Sequence, residues 1–476
     1  MSSYELPSEL ISLIIDHLHD DKPTLKTCAL VGREWVAPSR FHLLRSIHLY
    51  QDGVDEFLSL CDSPVSTIQR ANIYSFRIST NRCVDGTPED QRLWHSPALD
   101  ELLTWRSSDE QRTLATVLSQ LRILTLDWIG WWTLSRSAKE NFAKFEFLRE
   151  LKTWNVEFES LVQFSALLGS FPKLEVLTIN GGGFWRQEGI SDFEGPSVAI
   201  ALPPRLHTIS LESLNDHSVA VIEALLPCPS LRIFHFRVIN FSDFGVACGA
   251  AIGKLLASTG TSLEVFSAQV QAAGPLNDGI DMDARFQLID FTKNTRLQRI
   301  RLDIEEDEHV LPFLQRLTNT TIHFKPFTPA LQSLEIKYLA RLSIDWETLD
   351  VLLQHPYFSA LSEIKYTVVA SFGKTDVVGQ PGDWFEKANE GSDAHRTMLK
   401  NIEEFGARLP LCRARGILRP EECYYWWDRF PRGDVSSEGR PKWKKLGASI
   451  IMRGRTLLLD GLKRVCTAAN AHSPPF

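Results

Sequence analysis

No two of the eight cysteines lie within ten residues of one another. There is no CxxC and no cysteine–histidine cluster, so neither a structural zinc centre nor a disulfide framework is expected. Scattered thiols fit a reducing compartment. No apolar run approaches the roughly 20 residues of a membrane span. The N-terminus lacks a basic stretch and carries Glu5 and Glu9, so no signal peptide is expected. The sequons at Asn240 and Asn319 are then read as chance. No sign of charge dominates: 51 Lys and Arg face 59 Asp and Glu, a net −8. That balance argues against nucleic acid as a partner. The reading is a cytoplasmic or nuclear protein without a membrane segment.

Catalytic spacing is also missing. The chain has no GxSxG, GxxxxGK[ST] or HExxH. Gly181-Gly182-Gly183 lacks the helix, Lys and hydroxyl of a phosphate loop. Asp278, Asp281 and Asp283 lack the spacing and closing Glu of a calcium loop. His17 and His19, two apart, face different sides of a helix. The expectation is no enzyme, no cofactor and no metal.

What is present is bulk. Of 476 residues 43% are hydrophobic, with 13 Trp and 27 Phe. A chain this long with this much apolar surface suits several domains or a repeat array.

The first 45 residues read as three short helical segments. Pro7, Ser8 and Glu9 suit a helix start, and the helix should run to about Leu18. Leu10, Ile14 and Leu18 make one apolar stripe on it; Ile11 and Ile15 make a second about 100° round. One stripe docks a helix on its own domain, and two need two things to bury against. A second helix is expected from Thr24 to about Trp35, and a third turn near Phe41–Leu44. So small a unit with surplus apolar surface predicts a partner.

Leu6-Pro7-x-Glu9-Leu10, Ile14-Ile15, Leu18, then Cys28-Ala29-Leu30-Val31 and Arg33-x-Trp35 together resemble an F-box. Gly32 departs from that pattern, where many members carry a larger residue. The resemblance covers Glu5 to about Leu44. It implies docking on the Skp adaptor of a cullin–RING ubiquitin ligase, with Leu6, Pro7, Leu10, Ile14, Ile15, Val31 and Trp35 at the adaptor-binding positions.

From residue 44 a frame recurs: Leu, two residues, apolar, one residue, apolar. It appears from Leu44, Leu121, Leu174, Leu206, Leu231, Leu263, Leu297, Leu331 and Leu361, with poorer copies from Ile68 and Leu148. The later copies lie roughly 25 to 34 residues apart, near the leucine-rich range. Alternation inside the frame is a strand signature. Helical patterns precede several copies, as at Leu161–Leu168, Val221–Leu226 and Leu349–Leu353. These features resemble leucine-rich repeats, although the Asn that closes the turn is mostly absent, Asn180 and Asn240 being the nearest candidates. A compact α/β domain is the alternative for this region. An F-box followed by such repeats is similar to large fungal families, in which the repeats present a protein substrate.

The fold class expected is α/β: an F-box over residues 1–46, an irregular leucine-rich-repeat solenoid over 47–371 and a helical cap over 372–420. Residues 421–476 are expected to form a basic, poorly ordered extension; residues 411–476 carry 13 Lys and Arg against 6 Asp and Glu. In such a solenoid the residues between and just after the frame's apolar positions face the concave side. They are Thr178, Asn180, Ser210, Glu212, His235, Arg237, Arg301, Asp303, Glu335, Lys337 and Lys365, the candidate substrate-binding set. The functional expectation is the substrate-recognition subunit of a Skp–cullin–F-box ligase. A repeat scaffold outside any ligase is the alternative.

Overall fold

The computed structural model describes residues 6–63, 68, 71–80, 97–181, 183–184, 202–214, 218–238, 245–270, 286–304, 310–319, 330–339, 345–371, 400 and 403–425. The chain divides into two units, Met1–Tyr425 and Trp426–Phe476, of which the second lies outside those residues. So do Asn240, Asp278 and residues 185–201.

Three helices open the chain: α1 (Ser8–His17), α2 (Lys22–Cys28) and α3 (Arg33–Arg45). Pro7 precedes α1 as its N-cap. The Asp21 carboxylate caps α2, accepting from Thr24 N–H at 3.0 Å. The helix expected over 24–35 is instead two, because the chain turns at 29–32 and extended Gly32 caps α3. Ile11, Ile15, Leu25 and Cys28 form a core separate from that of the repeats, with Leu18, Trp35 and Leu43 packed on it. His42 Nε2 and Asp16 Oδ1, 2.7 Å apart, tie α3 to α1.

The remainder is built on twelve strands: β1 (Ser46–Tyr50), β2 (Ser75–Ser79), β3 (Ile123–Asp127), β4 (Glu150–Trp154), β5 (Val176–Asn180), β6 (Thr208–Glu212), β7 (Ile233–Val238), β8 (Val265–Val270), β9 (Arg299–Ile304), β10 (Ser333–Leu339), β11 (Glu363–Ser371) and β12 (Leu418–Tyr425). They form one sheet in chain order. Every pairing is parallel and keeps the frame in register: Leu177 opposes Ile209, Ile209 opposes Phe234, and Phe234 opposes Phe266. Strand starts are separated by 25 residues (Thr208 to Ile233) to 34 (Val265 to Arg299) between β3 and β11. This is an α/β protein with a long parallel sheet resembling a leucine-rich-repeat solenoid.

One strand is not where the frame placed it. The copy read from Ile68 is displaced: β2 begins at Ser75, and Ile73, Phe76 and Ile78 fill the inward positions. Two apolar triplets lie within ten residues, and only pairing with β1 and β3 selects between them. At the other end, Pro410–Ala414 is a short helix. β12 then pairs with β11 through Tyr425, so the array crosses the boundary expected at 420.

The frame's apolar residues face one side and are covered by helices such as α4 (Leu161–Gly169), α5 (Ser218–Ala224) and α6 (Val246–Thr259) in one continuous core. Size alternates within it: Ala268 lies beside Phe236, and Phe266 stacks on Phe313 at 5.9 Å. Such large–small matching holds the interior at close packing.

The turn after the strand is shared by four consecutive repeats. Trp128, Asn155, Gly181 and Ser213 each follow a strand and adopt positive φ, between 48° and 59°. Trp128, Asn155 and Gly181 donate their N–H to the carbonyl of Trp154, Asn180 and Glu212, the last residue of the next strand, at 2.8, 2.7 and 3.0 Å. A left-handed residue bends the chain sharply, and the hydrogen bond fastens each bend to the next repeat.

Candidate functional site

Among the described residues two surfaces stand open. The first is on the three-helix unit. α1 has one apolar arc but only half of it is covered: Ile11, Ile15 and Leu18 turn into the core, while Leu6, Leu10, Leu13 and Ile14 lie on its outer side. Leu10 and Leu13 are 46% and 55% exposed. Leu30 and Val31, in the turn before α3, are 86% and 64% exposed, and Phe41 is also open. Each such side chain offers about 1 kcal/mol on burial against a partner.

The candidate adaptor set therefore divides. Leu6, Pro7, Leu10, Ile14 and Val31 are exposed. Ile15 is fully buried and Trp35 is half-buried against the core. One helical position separates Ile14 from Ile15, about 100°, which is enough to turn one out and the other in. Sequence reasoning missed Leu13, Leu30 and Phe41; their signal was large apolar residues that the unit's own core does not need.

The second surface is the sheet face opposite the helices. Strand alternation sends three columns of side chains outward. All eleven candidates lie by register in the middle or third column, where those whose side chains are described are half-buried. Sequence reasoning missed the N-terminal end of this face, because the β2 frame was displaced. There the Arg77 guanidinium bonds the nearly buried Asp127 carboxylate at 2.5 Å and lies 4.3 Å from the centre of the Trp154 ring. His48 and Tyr50 sit with ring centres 4.2 Å apart.

Charges at both ends of the face are matched on the face itself. Lys152 pairs with Glu150 at 2.9 Å, and Arg301 with Glu335 at 3.1 Å. Asn180 donates to Glu212 at 2.8 Å and accepts from Ser213 at 2.9 Å. Between these ends, β5 to β8 carry Val176, Thr208, Ile233 and Val265 in the first column. Thr178, Ser210, His235 and Ser267 stand in the middle column. Burial, and secondly the charge of Arg301, lower the pKa of His235, which keeps its ring neutral at pH 7.

Burial pushes the Cys61 and Cys228 thiols up to about 11 and Cys412 up to about 12, so none is a thiolate at neutral pH. No group of three or more His, Cys, Asp or Glu is placed to hold a metal among the described residues. A cavity lined by Phe158, Phe164, Leu211 and Ile222 has Glu212 as its one ionisable wall residue among them. Glu157 has a carboxylate oxygen without a hydrogen bond among the described residues, and burial raises its pKa to about 7. No helix among the described residues is long and apolar enough to cross a membrane.

No family profile matches the chain. No curated protein matches it. Among solved structures, an internalin from Listeria monocytogenes is similar over 67% of this chain and 89% of its own, at 12% identity and a TM-score of 0.25.

Proposed function

We propose that this chain is the substrate-recognition subunit of a Skp–cullin–F-box ubiquitin ligase, acting in the cytoplasm or nucleus. In this reading α1 to α3 dock on a Skp adaptor, and through it on a cullin–RING ligase. The open sheet face holds a protein substrate. The chain itself is not an enzyme and supplies position only. The observation that carries the reading is α1. It completes a core of its own with Ile11 and Ile15 and still leaves Leu6, Leu10, Leu13 and Ile14 uncovered. An apolar row of that size on a unit with a satisfied core is the mark of a protein interface.

The test is binding of the purified full chain to a Skp adaptor, with Leu10→Asp/Ile14→Asp as the control. Micromolar or tighter binding, weakened more than tenfold in the variant, supports the proposal. A folded chain with no measurable affinity removes it and leaves the alternative, a repeat scaffold outside any ligase.

A further inference from the structure

We infer that the substrate segment held by the open sheet face is an uncharged stretch of polypeptide, seated on the middle columns of β5 to β8. The inference rests on the substrate-receptor reading of that face and deepens it.

At the N-terminal end, Arg77 is matched by Asp127 and Lys152 by Glu150. At the C-terminal end, Arg301 is matched by Glu335. A charged substrate arriving at either end must displace a partner already in place, and the gain is small. Even the rim at the strand starts is matched: Arg149 with Glu175 at 3.3 Å and Arg232 with Glu264 at 2.7 Å.

The middle is different. Thr178, Ser210, His235 and Ser267 occupy four neighbouring strands in one row. Adjacent members stand about 4.8 Å apart. Their side-chain polar groups make no hydrogen bond among the described residues, and none carries a formal charge. The row spans about 15 Å, enough for four to five residues of an extended segment. Three of the four are small, so a polypeptide backbone can approach the sheet closely. Val176, Ile233 and Val265 add aliphatic surface beside them.

A charge buried over this row would lose water, and the charges nearest to it, Glu212, Arg237 and Arg301, already have partners, which selects against it. Hydroxyls and a neutral imidazole instead offer donors and acceptors to backbone and to Ser, Thr, Asn or Gln side chains. The surface thus fits an uncharged segment and discriminates against an acidic, basic or phosphorylated one.

The test pans a random peptide library displayed on phage against the full chain. The dissociation constants of the enriched peptides are then measured on Ser210→Lys, Ser267→Glu and Arg301→Ala/Glu335→Ala. The expected peptides share an uncharged core of about five residues. Ser210→Lys and Ser267→Glu each weaken them at least tenfold, and the double alanine variant less than threefold. Because a new charge could disturb the sheet, the peptide is also varied. One Glu placed in its core must weaken binding to the unaltered chain at least tenfold. Enriched peptides with charged cores, binding indifferent to Ser210→Lys, or no enrichment overturns the inference. Adaptor affinity is measured on the same preparation. Intact adaptor binding without such peptides sinks this inference alone. Peptide binding without adaptor affinity sinks the ligase reading alone.

Discussion

Asp350 and Cys412 stand 62 positions apart, yet Asp350 Oδ1 accepts the Cys412 N–H at 3.0 Å. The other oxygen accepts Leu411 N–H at 2.7 Å. Asp350 lies on the helix Trp346–Leu352 of the last regular repeat and is 2% exposed. Its two oxygens thus anchor the start of the helix Pro410–Ala414, which precedes β12. Arg415 adds bonds to the carbonyls of Leu353 and Phe358 at 2.9 and 3.1 Å. These contacts close the long excursion after β11 and bring the final strand back into register.

Asp350→Ala is expected to release that closure. It leaves the buried Cys412 N–H and the half-buried Leu411 N–H unpaired and should cost about 1–3 kcal/mol. Hydrogen exchange should show amides of 411–418 losing protection while those of β5 to β8 keep theirs. Uniform loss across the array, or none, contradicts this account.

Gly181 should not tolerate a side chain. It has φ of +59°, and an added Cβ would lie 2.3 Å from Asn155 Oδ1. Gly181→Ala is expected to destabilise by about 1–3 kcal/mol, read as a lowered urea midpoint. An unchanged midpoint shows that the turn shared by these repeats is not under that constraint.

Glu157 gives a pH dependence of known sign. Its folded pKa, about 7, lies above the ordinary value of 4.5. The folded state therefore holds the proton more tightly than the unfolded one. The wild-type chain loses stability as pH rises from about 4.5 to about 7, and the penalty is complete above that. Glu157→Gln should raise the melting temperature at pH 8 and change it little at pH 4.5. Allowing for solvent screening of a half-buried group, the gain is about 1 kcal/mol. An equal shift at both pH values contradicts it.

Ile14 and Ile15 should separate docking from folding. Ile15→Ala removes a fully buried side chain and is expected to cost about 2–4 kcal/mol within the three-helix unit. Ile14→Ala should change stability by less than about 1 kcal/mol and weaken adaptor binding several-fold. Reversed effects would place the wrong face of α1 outward.

The sequence by itself determined the repeat. Alternation within Leu174–Ile179 or Leu331–Ile336 is a local property of a strand with one face buried, so it was legible without neighbours. The surplus apolar arc of α1 was legible for the same reason: a helix fixes the angle between residues. Which half of the arc turns inward was not, because α2 decides it through Leu25 and Cys28 and α3 through Trp35 and Leu43. Tertiary structure likewise chose Ile73 over Ile68 as the start of the second repeat, since β1 and β3 supply the pairing partners. It also set the left-handed turn. Trp128, Asn155 and Gly181 share no chemistry that a sequence would reveal, and what unites them is the carbonyl of the next strand, which only stacking brings within reach. The neutral row on the open face emerged the same way: Thr178, Ser210, His235 and Ser267 are roughly thirty residues apart along the chain, and parallel register makes them neighbours.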